Sequence, residues 1–436
     1  MAFVLHFVVP DPSGRFVLLV ETATGWTLPR VVAPGPFGEE FLVTGVAAAT
    51  RAHFGVDIVL LRSVLVEYGN TDEDSGHAIF FTQNLSQRTP RVGEWCDEPS
   101  LVQLDFVVER ERPAVLQWFV EKREGLPPRL APWQQDGWFV DATSWISSKL
   151  SGVTEIEQYR VWSGSALLRI DADDRRYFFK SVPDIFHREA IVTSLIADRF
   201  PKVVPTPVAI DEARGWMLLG NFGDTFVADL PFHHWEKALA ALFELQRESI
   251  PMVGSLLQDG IVDRRPDRLT AQTEDFSAGG LGELPEELRS RLRTAVPRLS
   301  ELCAELGESP IPSTLVHGDF HGGNVVVTDG HYMIFDWTDA CIAHPFVDLA
   351  TYLYMFGPPS TDAAVRNRLR DRYLQGWSDV IPHDEAVDLF ERTKAAAAVH
   401  HAISYQTVLA ALDPSQRWEW ASHLPWWLER ALDPGE

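Results

Sequence analysis

Residues His317 to Asn324 read HGDFHGGN, and an apolar run, YMIF, then ends at Asp336, twelve residues beyond Asn324. No other stretch limits the fold so tightly. The paired glycines Gly322 and Gly323 let the loop bend back, so that Asp319 and Asn324 face one site. The run YMIF reads as a strand whose end delivers Asp336.

At 436 residues the chain is too long for one ordinary core, which predicts two or three domains. No apolar stretch reaches the roughly eighteen residues needed to span a bilayer. The run Phe3–Val9 lacks a basic flank and soon meets the turn Asp11-Pro12-Ser13-Gly14, so it reads as a first strand rather than a signal peptide. Cys96, Cys303 and Cys341 are too few and too scattered for a zinc site or a disulfide framework, and they fit a reducing cytoplasm. The net charge of −24 disfavours DNA or any other nucleic acid as a partner and would attract a cationic substrate, although acidic surfaces also serve solubility alone.

Three stretches differ in texture. Residues 1–140 open with strand-like runs (FVLHFVV, FVLLV, VLLRSVLVEY, HAIFFTQ), with a helix expected over Glu39–Phe54 and stopped at Gly55. The Pro- and Trp-containing passage Leu126–Trp138 reads as a linker or a wrapped tail. From there Asp141 is expected to cap a short helix to Leu150. Strands are expected over Tyr159–Ile170 and Tyr177–Ser181, joined by the acidic turn Asp171–Asp174. A helix near Asp184–Phe200 and the apolar segment Gly215–Leu219 follow. Beyond Asp224 the texture is helical, apart from the HGD segment and two short strands flanking Gly330. Ala395–Leu412, Ala-rich with helical spacing, reads as a buried helix.

The loop and the Asp336-Trp337 strand end resemble the aminoglycoside phosphotransferase and choline kinase branch of the protein-kinase-like families, whose hallmark is HGDxxxxN followed by a D-W or D-F strand end. Gly318 stands where protein kinases carry the arginine of H-R-D, and Trp337 where they carry Phe-Gly. The resemblance spans about residues 145–436. It implies an α+β, two-lobed protein-kinase-like domain, with a small β-rich lobe (141–222) and a large helical lobe (223–436) holding the catalytic and substrate sites. The implied activity is transfer of the γ-phosphate of ATP, or of GTP, to a hydroxyl of an aminoglycoside-like antibiotic or related small molecule, with Mg²⁺.

The resemblance also implies residue roles. Asp319 is the catalytic base, or the group that aims the acceptor hydroxyl. Asn324 and Asp336 hold metal against the nucleotide. Lys180, ending the strand YFFK, reaches the α and β phosphates, and Glu189 in the next helix pairs with it. His317 orders the loop, the role of His321 stays open, and Asp348 braces the loop. The turn Ser163-Gly164-Ser165 has one glycine only, so the nucleotide-covering loop is poorly matched. Met217–Asp224 resembles the hinge between lobes.

The first 140 residues, through GWTLPRVV (Gly25–Val32) and Phe54-Gly55-Val56, resemble an α/β Nudix domain. Anchored on Gly55-Val56, the Nudix box puts its first glutamate on Glu40, its Arg-Glu pair on Ala48 and Ala49, and its paired glutamates on Ala52 and His53. Too few hard ligands then remain for a divalent ion, so the resemblance implies a catalytically dead module that shapes the acceptor pocket or forms a homodimer interface. Alternatives stay open: an α/β domain of another family, an active Nudix hydrolase, or a pseudokinase that binds nucleotide or metabolite without transfer. Carboxylates at Asp362, Asp371, Asp384, Glu385, Asp388 and Glu391, with Trp418, Trp420, Trp426 and Trp427, could wall an ammonium-bearing substrate. For any single one of them, ordinary solvated helix charge or a core tryptophan is the better account.

Overall fold

The structure, a computed structural model, describes residues 3–33, 41–68, 76–276, 284–355 and 357–433. Two compact units make up the chain: Met1–His187 with Val208–Asn221 and Leu412–Gln416, and Arg188–Pro207 with Phe222–Ala411 and Arg417–Glu436.

The first unit begins with β1 (Phe3–Val8), β2 (Val17–Thr22), β3 (Gly25–Thr27), β4 (Arg30–Val32), α1 (Val46–Phe54), β5 (Ile58–Glu67), β6 (Gly76–Asn84), β7 (Glu94–Cys96), α2 (Glu111–Glu124) and α3 (Trp138–Lys149). One sheet has the order β4-β1-β6-β5, with β1 and β6 parallel, and a second has β3-β2-β7. Alternation along β1 sends Phe3, Leu5 and Phe7 to one core, and Val8 to another, where it meets Val115 and Trp118 of α2. A further antiparallel sheet follows in the order β11-β12-β10-β9-β8, from β8 (Val153–Trp162), β9 (Ser165–Ala172), β10 (Arg175–Ser181), β11 (Pro207–Asp211) and β12 (Trp216–Gly220).

These sheets share one core. Leu5, Phe80, Trp138 and Ile146 belong to the same buried cluster as Leu168, Phe179 and Trp216. Backbone pairing reinforces it, because Val43 N–H donates to Tyr159 O at 2.9 Å and Val161 N–H to Phe41 O at 3.3 Å. The buried amide of Gln158 spans the gap between β8 and β5, accepting from Leu60 N and donating to Leu60 O, both at 2.8 Å. Residues 1–140 and the sheet that follows are therefore packed as one body.

Several expected boundaries move. The first helix covers Val46–Phe54, starting after Gly45 at φ 78°; Glu39 and Glu40 lie outside the described residues. The helix expected from Asp141 begins at Trp138, because Gly137 in the left-handed region starts it and Asp141 falls in its first turn. The single strand expected over Tyr159–Ile170 is two strands that reverse at Ser163-Gly164, where the Trp162 ring lies so close that a Cβ on Gly164 would meet it at 2.3 Å. The helix expected from Asp184 opens with a separate 3₁₀ turn, Asp184–Phe186.

The second unit contains α4 (Glu189–Arg199), α5 (Phe232–Ser249), α6 (Val253–Gln258), β13 (Val262–Asp263), α7 (Pro266–Phe276), α8 (Glu286–Gly307), β14 (Thr314–Val316), β15 (Val325–Thr328), β16 (His331–Ile334), β17 (Cys341–Ala343), α9 (Phe346–Tyr354), α10 (Pro358–Thr361), α11 (Ala363–Gln375), α12 (His383–Ala411) and α13 (His423–Leu432). The strands form a three-stranded sheet, β13-β17-β14, and a hairpin, β15-β16. Helices bury Trp235, Leu242, Tyr352, Trp377 and Phe390 in one core. The Ala-rich stretch is the inner part of α12, with Ala395 to Ala398 all buried. Among the described residues no helix is long and apolar enough to cross a membrane.

Candidate active site

The loop His317–Asn324 leaves β14 and runs into the β15-β16 hairpin. Its first turn is tight. Gly318 sits at φ +86°, and a Cβ there would meet the Asp339 carbonyl oxygen at 2.3 Å, so backbone conformation and close approach both require glycine. The carboxylate of Asp348, in the first turn of α9, accepts the N–H groups of His317 and Gly318 at 2.9 Å each. The Gln246 amide donates to the same carboxylate at 2.9 Å, and the Tyr373 hydroxyl donates to Gln246. Burial pushes the Asp348 carboxyl up to about 7, against these donors, which favour its ionised form.

His317 is wholly buried and fixed in one tautomer. Its Nδ1 accepts from Asp319 N–H at 3.2 Å, so Nε2 carries the hydrogen donated to Phe335 O at 2.9 Å. Burial lowers its pKa, which keeps it neutral and suits it to ordering the loop. His321 Nδ1 accepts from Gly323 N–H at 3.0 Å, leaving Nε2–H 3.7 Å from Asp319 Oδ2.

Asp319 and Asn324 are brought together at the end of this loop. Asn324 Nδ2 donates to the Asp319 carbonyl at 2.9 Å and approaches its Oδ2 at 3.4 Å. Among the described residues Asp319 Oδ1 is buried and has no hydrogen-bond partner. Burial alone would raise the Asp319 pKa, but the His321 ring beside its carboxylate outweighs burial and holds it below the ordinary value. Its carboxylate is therefore ionised near neutrality.

The hairpin register brings in the second aspartate. Val325 pairs with Ile334, and Phe335 N–H donates to Asn324 O at 3.1 Å, so Asp336 emerges beside Asn324. Asp336 takes a left-handed conformation, φ 66° and ψ 59°, unusual for a residue with a side chain, and its Oδ1 accepts from Thr338 at 2.6 Å. A third carboxylate, Asp339, was not expected from the sequence. Burial, then the charges of Asp319 and Asp336, push it up to about 7. Its signal was the second aspartate of DWTD.

Lys180 occupies β10 opposite Leu167 and Met217, on the face turned away from the buried Phe179. It belongs to the first unit. Glu189 opens α4 in the second unit, 3% exposed, and its charge adds to the upward push on Asp339.

Three of the six expected acceptor-wall carboxylates are occupied: Asp362 caps α11, Asp371 pairs with Arg370, and Glu391 pairs with Arg370 and Lys394. In the first unit, α1 carries Ala48, Ala49, Ala52 and His53 and has no carboxylate on any face.

Asn324 and Asp336 offer oxygen donors only, which suits a magnesium ion that keeps waters and phosphate oxygens in its shell. Their adjacency fits such an ion. Among the described residues no cluster of three or more His, Cys, Asp or Glu could cage a metal without added ligands.

A family model described as the phosphotransferase enzyme family, APH, matches residues 155–389, and so takes in the loop, the hairpin, Lys180 and Glu189. The chain belongs to this family. It is a phosphotransferase acting on hydroxyl groups, and its class is that of the small-molecule kinases. The chain is similar to choline kinase LicA from Streptococcus pneumoniae, at 13% identity and a TM-score of 0.49, covering 68% of this chain and 99% of that one. A spectinomycin phosphotransferase in complex with ADP and spectinomycin gives 13% identity and a TM-score of 0.45, covering 67% and 97%. An amicoumacin kinase in complex with AMP-PNP and Ca²⁺ gives 14% and 0.47, covering 69% and 94%. No curated protein matches the phosphotransferase.

Proposed function

We propose that the phosphotransferase moves the γ-phosphate of ATP, with GTP as the alternative donor, to a hydroxyl of a small molecule, and that Asp319 is its catalytic residue. The observation that carries this reading is Asp319 Oδ1: an ionised carboxylate oxygen, buried without a partner among the described residues, on a loop fixed by Asp348. Asn324 and Asp336 are assigned the metal, Lys180 the α and β phosphates, and Glu189 the pairing with Lys180. Magnesium held there would neutralise charge on the phosphates.

In the transfer, a lone pair of the acceptor oxygen forms the new bond to the γ-phosphorus. The bond from that phosphorus to the β-bridging oxygen breaks, and its electrons leave on the nucleoside diphosphate. The hydroxyl proton passes to Asp319 and then to solvent. An unperturbed carboxylate has a pKa near 4 and that of Asp319 is lower still, so orientation is its main contribution and proton acceptance comes late.

Residues 1–140 are read as a non-catalytic Nudix-like module, because α1 lacks the carboxylates a divalent ion would need. The test of the main reading is Asp319→Asn. Calorimetry should find nucleotide affinity nearly unchanged, while turnover, read as added phosphate by mass across hydroxylated metabolites and antibiotics, falls by about 10²–10⁴-fold. Turnover retained in the variant would reassign the base.

A further inference from the structure

In the first unit the Pro- and Trp-containing passage before α3 meets the turn between β8 and β9. Trp162 pairs with Ser165, so only Ser163 and Gly164 make the turn. A glycine-rich loop of the kinase type has about six residues with which to cover phosphates. This turn is too short to swing as such a flap. It is also sealed: Ser163 is 1% and Ser165 5% exposed, the Trp162 ring lies against Gly164, and Trp162 Nε1–H donates to Ser165 Oγ at 2.9 Å.

The hold on this turn comes from residues 1–140. Trp133, fully buried in a 3₁₀ turn (Pro132–Gln134), donates its Nε1–H to Trp162 O at 3.0 Å. Phe41 stacks on the Trp162 ring, with centroids 6.2 Å apart and planes 18° from parallel. Leu42 bridges to Arg160 on the outer edge of β8, and Gly45 N–H donates to the Glu157 carboxylate of the same strand. Trp133 is itself tied down. The buried Gln134 amide accepts from Ala131 N–H at 3.0 Å and donates to Gln416 Oε1 at 2.7 Å, and Gln416 lies in the stretch after α12 that joins this unit.

The turn leads directly to the strand lysine. Ser165 opens β9, where Ala166 pairs with Ser181 and Leu167 with Lys180. A displacement of the turn is therefore passed through β9 to the backbone of Lys180.

We propose that Trp133 and Phe41 are positioning residues for the donor phosphates: they splint the β8-β9 turn, and through it the strand pair that carries Lys180, in the conformation that binds nucleotide. Residues 1–140 thereby stand in for the glycine-rich flap that this chain lacks, and they do so without moving; this rests on the kinase reading above, in which Lys180 meets the α and β phosphates. A loop ordered by its ligand loses conformational entropy on binding, whereas a turn ordered in advance does not.

The test uses the full-length protein with AMP-PNP and Mg²⁺. Hydrogen exchange, read by mass on peptides covering residues 159–168, should find slow amides at the turn in the nucleotide-free wild type. Trp133→Phe removes the bond to Trp162 O and keeps an aromatic ring. It should speed that exchange and weaken AMP-PNP in calorimetry, each by about fivefold, the worth of one hydrogen bond. Gln158→Ala loosens the joint at Leu60 instead, so stability in urea should fall while AMP-PNP affinity stays at the wild-type value. Rapid turn exchange in the free wild type, an unchanged exchange or AMP-PNP affinity in Trp133→Phe, or an equal loss of affinity in Gln158→Ala overturns the proposal. A wild-type protein that binds no AMP-PNP would remove the kinase reading itself, and the splint with it. If Trp133→Phe is poorly folded by circular dichroism, Phe41→Leu replaces it and should weaken AMP-PNP about threefold; no change overturns the proposal.

Discussion

Asp348 Oδ1 lies 2.9 Å from the backbone nitrogen of Gly318, at the one point where the catalytic loop turns left-handed. Through that bond and its twin to His317, the first turn of α9 sets the direction in which Asp319 points. Asp348→Ala would orphan two buried N–H groups at about 1–3 kcal/mol each. A loss of about 2–5 kcal/mol in chemical denaturation, with turnover down at least tenfold, is expected. Asp348→Asn keeps one acceptor oxygen and should lose less.

Gly318→Ala attacks the same turn from the other side. A Cβ would overlap the Asp339 carbonyl at 2.3 Å while the backbone stays at φ +86°. The loop must shift, so kcat should fall more than tenfold, with KM for nucleotide changing less. Steady-state kinetics on the purified variant checks this.

Acid sensitivity should come in part from buried neutral histidines. Burial lowers His344 to about 3 and His401 to about 4. A lowered histidine stabilises the fold fully above its unfolded value near 6.5, and that contribution is lost as pH falls toward the folded value. Asp339 and Asp348, raised to about 7, act in the opposite sense and lose their contribution as pH rises from about 4 to 7. The clean readout is therefore a variant. His344 Nδ1 accepts from Phe346 N–H at 3.3 Å, and an asparagine oxygen can replace it without titrating. His344→Asn should flatten the fall in stability between pH 6.5 and 4.5 by on the order of 2–3 kcal/mol, measured by urea unfolding.

The shared core of the first unit makes residues 1–140 a structural necessity. A chain begun at Asp141 would expose Phe179, Leu168 and Trp216 to water, each worth about 1.5–3 kcal/mol when buried. It should aggregate or unfold without cooperativity in a thermal scan. Gln158→Ala tests the joint more gently, since it orphans both backbone groups of Leu60; a loss of about 2 kcal/mol is expected.

Much of the site was legible because it is local. Asp319, Asn324 and the two glycines lie within one loop, and the hairpin that carries Asp336 begins at the next residue. Asp348 could be read as a brace from its place after the strand end. What failed was local too. Ser163-Gly164-Ser165 was legible as a turn, but the apolar periodicity on either side ran one strand through it. Asp141 looked like a cap, but Gly137 takes the left-handed turn that starts the helix.

By itself the sequence determined the order of chemical groups: a loop aspartate, an asparagine five residues on, and an aspartate at a strand end. Spacing along a short loop and a hairpin limits where side chains can go, whatever the rest of the chain does. Only the tertiary structure decided that Asp339 titrates near neutrality, that His401 carries its proton on Nε2, and that cations meet at Tyr354. Apart from Asp336, three residues from Asp339, those properties depend on burial and on neighbours more than ten residues distant, which chain order does not encode locally.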